Sequence, residues 1–199
     1  RKKAQWVAET MMPAAGVAPD AQTREALDLP QHIRDRLAGL CNGVPDIRWV
    51  EPSDMNLTLR FIGEVEEPVL PDIDHALSTV RSSAFSVILE GVDIFGDRRR
   101  ARTLWAGIHP CDSLSVLQSK IESALVRVGL DSEHRKFHPH VTLARLKRMK
   151  ADKLAGYLQA NASFKSEAFS LNEFTLYSSR LGRAGAVYAP EARYSLISA

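Results

Sequence analysis

The chain has 199 residues, 45% of them hydrophobic and 25% charged, which is enough to bury the core of one domain or of two small lobes. A net charge of +2 does not by itself indicate a nucleic-acid binder, so that role would need a local basic patch. Two cysteines exclude a disulfide framework and fit a reducing compartment, and no apolar run reaches the roughly 18 residues of a membrane helix. We therefore expect a cytoplasmic, monomeric protein that does not enter a membrane.

The elements predicted along the chain alternate between strands and helices. Residues 1–22 have no steady periodicity and are predicted to be an N-terminal extension, followed by a single domain over residues 23–199. The predicted elements, in chain order, are a strand in TREALDLP weakened by Arg24 and Glu25, a helix from Pro30 to Asn42-Gly43, strands at 47–50 and 55–63, a helix from Pro68 to Val80, strands at 85–95 and 103–110, a helix from Asp112 to Gly129, a strand at 140–145, a basic helix at 147–160, and a hairpin of 169–179 with 186–197. This order looks like one strand-helix unit run twice, which predicts an α+β fold with a pseudo-twofold duplication.

Two of the predicted strands have the same build, MNLTLRFIG at 55–63 and HVTLAR at 140–145. Because alternate residues of a strand point the same way, Asn56 and Thr58 share a face, and so do His140 and Thr142. A hydroxyl can hold a phosphate oxygen while an imidazole moves a proton at neutral pH. Two such pairs facing each other would put an acid and a base on opposite sides of a P–O bond, with no metal or cofactor.

These motifs and their surroundings resemble the 2H phosphoesterases, and within them the bacterial RNA 2′,3′-cyclic phosphodiesterases, long labelled 2′-5′ RNA ligases. The likeness covers roughly residues 23–197 and includes LDLPQHIRDRL, RWVEPSDMNLTLRFIGEV, FSVILEGVDIFGDRRRARTLWAGI, GLDSEHRKFHPHVTLAR and FTLYSSRLGRAGAVYAP. A single His-x-Thr would be a weak signal, whereas two related tripeptides in long matching contexts are specific. The resemblance implies a bilobal fold with two antiparallel sheets around a central cleft and helices on the outside.

The resemblance also implies a reaction, the opening of a 2′,3′-cyclic phosphate at an RNA end to a 2′-phosphomonoester. The second-motif histidine, which activates water, falls on His140, and Thr58 and Thr142 fall on the threonines that hold phosphate. The first-motif histidine, which protonates the departing 3′ oxygen, falls on Asn56, whose amide donates a hydrogen bond but cannot deliver a proton. A natural variant of reduced activity, a chain recruited to binding and a deliberate inactivating substitution all fit this difference.

A second difference from the family lies in the first strand. The family usually has a continuous apolar stretch before its Asp-Leu-Pro, where this chain has Arg24 and Glu25. We expect this difference to affect the edge of the first lobe more than the cleft.

Further candidates come from strand parity. Arg60 has the parity of Asn56 and would face the phosphate, whereas Arg145 has the opposite parity to His140 and reaches the cleft only if its strand bends or ends. We expect either arginine to bind phosphate. His138 and His140 form a His-Pro-His that lacks a third ligand nearby, so no metal site is predicted.

Four residues are candidates for contact with RNA outside the motifs. The run Arg98-Arg99-Arg100 either contacts the RNA backbone or forms a solvated turn. Phe137 either stacks on a base or packs in the core, and core packing is favoured.

The sequence leaves three functions open. They are hydrolysis of RNA ends or nucleotides with a 2′,3′-cyclic phosphate, weakened by Asn56; binding of such ends without turnover; and joining of RNA through a 2′-5′ linkage.

Overall fold

A computed structural model describes residues 22–63, 65, 67–97, 100–149, 154–182 and 185–197. The strands are β1 (Gln22–Asp28), β2 (Arg48–Trp49), β3 (Asn56–Gly63), β4 (Phe85–Val87), β5 (Leu89–Asp97), β6 (Arg100–Ile108), β7 (His140–Met149), β8 (Phe169–Leu171), β9 (Glu173–Gly182) and β10 (Gly185–Ser195). The helices are α1 (Gln31–Ala38), α2 (Leu70–Ser78), α3 (Asp112–Arg127) and α4 (Ala155–Ala160). The predicted N-terminal extension lies outside the described residues, apart from Gln22 at the start of β1.

The strands form two antiparallel sheets. The larger sheet has the order β10-β9-β1-β3-β7-β6-β5, with β2 beside β7, and the smaller one pairs β4 with β8. The motif strands β3 and β7 are neighbours in the middle of the larger sheet, where Leu57 pairs with Val141. The predicted α+β fold with two antiparallel sheets is confirmed, and each half of the chain contributes one motif strand.

Helix α3 shows why the sequence forms a helix here and which face it buries. Its buried residues recur at helical spacing: Leu114, Leu117, Ile121, Ala124 and Leu125. The helix stops before Gly129, whose positive φ of 92° suits a residue without a side chain. The buried face of α3 packs in the core with Leu57 and Leu59 of β3, which leaves the opposite face of the motif strands to line a cleft.

Each motif strand carries a β-bulge at the two residues that follow its motif threonine. In β3, Leu59 and Arg60 are consecutive and both buried, and the pairing register with β1 shifts beside them. In β7, Leu143 and Ala144 are likewise consecutive and buried, and the register with β6 shifts there. A bulge adds one residue to a strand, so the residues beyond it face the opposite way from what simple alternation predicts.

The predicted first strand is confirmed: β1 forms despite Arg24 and Glu25, and it lies inside the larger sheet, between β9 and β3. The predicted basic helix at 147–160 is wrong for its first part, because β7 continues to Met149 and α4 covers only Ala155–Ala160. None of the described helices is long and apolar enough to span a membrane.

Candidate functional site

A cavity of about 430 Å³ opens where the two motif strands meet. Both motifs contribute to its wall, through Asn56 and Thr58 of β3 and His140 and Thr142 of β7. The other lining residues are Arg24, Arg48, Trp49, Val50, Glu51, Asp54, Arg145, Leu146 and Tyr188. The structure therefore brings the two predicted motifs together in one site.

The register of the central strand pair explains how the motifs meet. Leu57 pairs with Val141, and the two strands run in opposite directions. Asn56 is therefore next to Thr142, and Thr58 is next to His140, on the face opposite to the buried Leu57 and Val141. Each motif threonine thus stands beside the first residue of the other motif.

The surroundings of His140 fix which of its nitrogens carries the proton. Nδ1 lies 2.7 Å from the carbonyl oxygen of His138, and because a carbonyl only accepts, Nδ1 must donate. In the neutral ring Nε2 is then the proton acceptor. The ring is in edge-to-face contact with Phe95, with centroids 4.7 Å apart, and with Trp105. Burial lowers the pKa of His140, so the ring is neutral at pH 7 and is suited to act as a base.

Arg24 brings a positive charge to the first motif. Its Nη1 lies 3.4 Å from Thr58 Oγ1, to which it donates, and its guanidinium is stacked over the ring of Tyr188 at 3.7 Å. The sequence assigned a role neither to Arg24 nor to Tyr188. A usable signal was the pair of charged residues, Arg24 and Glu25, inside a predicted strand, because a charged side chain in a central strand needs a partner or a ligand.

The two candidate phosphate-binding arginines end in different places. Arg145 lines the cavity, because the bulge at Leu143 and Ala144 turns it to the cleft face. The prediction that Arg60 faces the cleft is wrong, since the bulge in β3 turns it to the opposite face. There Arg60 is 8% exposed and forms an ion pair with Glu122 of α3, Nε to Oε2, at 2.6 Å.

Arg60 is also fixed by the backbone beneath the sheet. Its Nη2 donates to the carbonyl of Asp131 at 2.5 Å, and its Nη1 donates to the carbonyl of Phe61 at 2.8 Å. These contacts use the guanidinium for structure, so Arg60 is not a phosphate ligand.

The remaining candidates lie outside the cavity wall or outside the described part of the chain. Arg98 and Arg99 fall outside the described residues, and Arg100 begins β6, where it pairs with Asp97 of β5, with a side chain that is not described. Phe137 is partly buried and packs against the hydrophobic core, as the favoured alternative predicted. Within the described residues, no three His, Cys, Asp or Glu side chains cluster as a metal site would require.

The sequence profile of the LigT like Phosphoesterase family matches residues 27–105 and, separately, residues 108–188. The two matched segments divide the chain as the predicted duplication does. An RNA 2′,3′-cyclic phosphodiesterase of Aeropyrum pernix is 34% identical over 158 residues, which are 78% of this chain and 88% of the relative. The Escherichia coli protein of the same name is 29% identical over 175 residues, covering 86% of this chain and 94% of the relative.

Solved structures agree with this relationship. The crystal structure of Escherichia coli LigT in its apo form has a TM-score of 0.76 and 27% identity over 89% of this chain and 98% of LigT. LigT has also been crystallised with 3′-AMP, and that complex has a TM-score of 0.72. A Thermus thermophilus protein, at 22% identity and a TM-score of 0.75, shares the fold. The resemblance seen in the sequence is thus confirmed at the level of the family, and the chain belongs to the LigT like Phosphoesterase family.

Proposed function

We propose that the chain is a metal-independent RNA 2′,3′-cyclic phosphodiesterase, which opens the cyclic phosphate at an RNA end to a 2′-phosphomonoester. The observation that carries this proposal is that both motifs line one and the same cavity. Relatives named RNA 2′,3′-cyclic phosphodiesterase, at 27–34% identity, support the choice of substrate.

His140 is the general base in this scheme. Its Nδ1–H is held by the carbonyl of His138, which leaves Nε2 to take a proton from a water molecule. The oxygen of that water attacks phosphorus, and the bond from phosphorus to the 3′ oxygen breaks. Burial keeps the ring neutral, so the base is ready at neutral pH without first losing a proton.

Three side chains are placed to hold the phosphate. Thr58 and Thr142 line the cavity from the two strands and can donate their hydroxyl hydrogens to non-bridging oxygens. Arg145 lines the same cavity and supplies a positive charge from the second half. A guanidinium suits this task because its planar donors match two phosphate oxygens at once.

Asn56 occupies the position of the general acid. Its amide can donate a hydrogen bond to the departing 3′ oxygen, but the proton that this oxygen needs must come from solvent. Loss of a general acid costs about 10²–10⁴ in rate. The chain should therefore bind its substrate and turn it over slowly.

The test is hydrolysis, in the presence of a chelator, of an RNA oligonucleotide that ends in a 2′,3′-cyclic phosphate. We expect Asn56→His to raise the rate by about 10²–10⁴, because it restores a proton donor beside the leaving oxygen. Asn56→Gln is the matched control, since it changes the size of the side chain without adding a titrating group. His140→Ala should lower the rate of hydrolysis by about 10²–10⁴ in both the original and the Asn56→His background.

Product analysis and binding complete the test. The product should be a 2′-phosphomonoester, and a 2′-5′ linked RNA would instead indicate ligation, in which an RNA 5′-hydroxyl takes the place of water as the nucleophile. If no variant cleaves or binds the RNA end, the proposed substrate is wrong.

Asn56 favours a second candidate, a binding module that holds cyclic-phosphate ends without turnover. In that case the labelled RNA would be retained by the protein and recovered unchanged, and Asn56→His would leave the rate at zero. The same experiment therefore separates the two candidates.

A further inference from the structure

Arg24 is a buried charge in the middle of a sheet. It belongs to β1, between β9 and β3, and only 9% of its surface is exposed. Its neighbour Glu25 points to the opposite face, toward the helices, so the two side chains cannot neutralise each other. A buried guanidinium destabilises the fold unless its N–H donors have hydrogen-bond partners and its charge is balanced by a negative group.

The contacts of Arg24 leave most of its donors unused. Nη1 donates to Thr58 Oγ1 at the long distance of 3.4 Å, while Nε and Nη2 are buried and have no hydrogen-bond partner within the described part of the chain. The guanidinium carbon lies over the ring of Tyr188, 3.7 Å from its centroid, and is 5.8 Å from the ring centroid of Tyr177. Stacking holds the group in place without using its hydrogens, which lie in the plane.

The position of Arg24 points to the kind of ligand that would use these donors. It lines the cavity with Thr58, a residue placed to hold phosphate, and with Arg145, which approaches from the other half. Arg145 repels Arg24 across the cavity, Asp54 offsets part of that repulsion, and a phosphate between the two arginines would offset more of it. A phosphate oxygen also suits the planar donors that Arg24 leaves free.

We propose that the guanidinium of Arg24 binds the terminal phosphate of the substrate, donating to its non-bridging oxygens beside Thr58. This proposal rests on the proposed function and adds a residue to its site. Arg24 and Arg145 would then hold the phosphate from the two halves of the chain. The charge of Arg24 would also offset part of the negative charge that develops on the departing 3′ oxygen, which Asn56 cannot protonate.

Binding of the product, rather than turnover, gives the direct test. The dissociation constants of adenosine 2′-monophosphate and of adenosine would be measured by calorimetry or by competition for the original chain and for Arg24→Met. Met keeps an unbranched chain against Tyr188 but has no donors. Arg36→Met, an exposed arginine outside the cavity, is the matched control, and melting temperatures verify that each variant is folded.

We expect Arg24→Met to weaken binding of adenosine 2′-monophosphate by about 10- to 100-fold, the value of hydrogen bonds to a charged group. Adenosine binding should stay unchanged, because it has no phosphate. Arg24→Lys should recover part of the loss, since it restores the charge without the planar donors. A purely structural role for Arg24 would change both ligands alike, and that outcome would overturn the proposal.

Two further results would also overturn it. If Arg24→Met weakens only a dinucleotide that carries both a 2′-phosphate and an internal phosphodiester, Arg24 contacts the upstream phosphate instead. If Arg24→Met binds the monophosphate normally while Thr142→Ala does not, Arg24 is not a ligand and the proposed function still stands. Absence of binding in the original chain would instead contradict the proposed function itself.

Discussion

The motif strands β3 and β7 follow the same backbone course but carry different chemistry. Each has a bulge after its threonine, so Arg60 corresponds to Ala144, and Phe61 corresponds to Arg145. In the second half the residue turned to the cleft is an arginine, and the residue turned beneath the sheet is small and apolar. In the first half the arginine lies beneath the sheet.

The difference continues in the neighbouring strands. Beneath the sheet, Glu25 pairs across β1 and β3 with Arg60, whereas the second half has Leu104 paired with Ala144. All oxygens of the Glu25 carboxyl are buried without a hydrogen-bond partner in the described residues. A shared backbone therefore fixes where side chains point, and the residue types decide whether a half provides catalysis or a buried polar cluster.

The largest expected effect comes from exchanging the two motif residues. In the double variant Asn56→His with His140→Asn, the imidazole moves from the second half to the first, so a proton donor is present without a base. We expect its hydrolysis rate to stay about 10²–10⁴ below that of Asn56→His alone, the range for loss of a general base. Single-turnover hydrolysis of the cyclic-phosphate oligonucleotide measures this. Equal rates would mean that the two halves do not act as acid and base.

The buried cluster should be sensitive to the loss of one partner. Arg60→Met leaves Glu122, which is 20% exposed, without its cation, and the loss of hydrogen bonds to a charged group costs about 1.5–3 kcal/mol. Urea unfolding measures this loss in the free energy of unfolding.

The control for Arg60→Met is a double variant that introduces the corresponding residue types of the second half. Glu25→Leu together with Arg60→Ala copies Leu104 and Ala144 and should be more stable than Arg60→Met, because an apolar residue then replaces the buried Glu25 carboxyl, although Glu122 still loses its cation. If the double variant is as unstable as Arg60→Met, the two halves are not equivalent beneath the sheet.

The stability of the first half should depend on pH. Burial raises the pKa of the Glu25 carboxyl from 4.5 to about 8, so the folded chain holds this proton more tightly than the unfolded chain. This stabilisation is complete below the unfolded pKa, near 4.5, and is lost as the pH rises toward 8. Melting temperatures between pH 5 and pH 8 should fall for the original chain. In Glu25→Gln the melting temperature should depend less on pH. If its dependence on pH is unchanged, other titrating groups cause it.

The smallest effect concerns the shape of the pH–rate profile. His140 must be neutral to act as a base, and burial lowers its pKa below 6.5, so the rate should rise with pH and level off below neutrality. With Asn56 in the acid position, the rate should not decline again. Asn56→His adds a group that must be protonated, so kcat/KM should become bell-shaped. A bell-shaped profile in the original chain would indicate another proton donor.

The sequence alone determined the α+β class, the duplicated order of elements and the pairing of His140 and Thr142 with Asn56 and Thr58. These follow from local periodicity and from two motifs in long matching contexts, which need no knowledge of neighbouring strands.

Only the tertiary structure decided which arginines enter the site. Simple alternation places Arg60 in the cleft and Arg145 outside it, but a bulge in each strand reverses both. A bulge depends on how a strand pairs with its neighbour, and Arg24 becomes part of the cavity only because β1 lies beside β3. Pairing between distant segments is a property of the folded chain, so the parity of a single strand does not contain it.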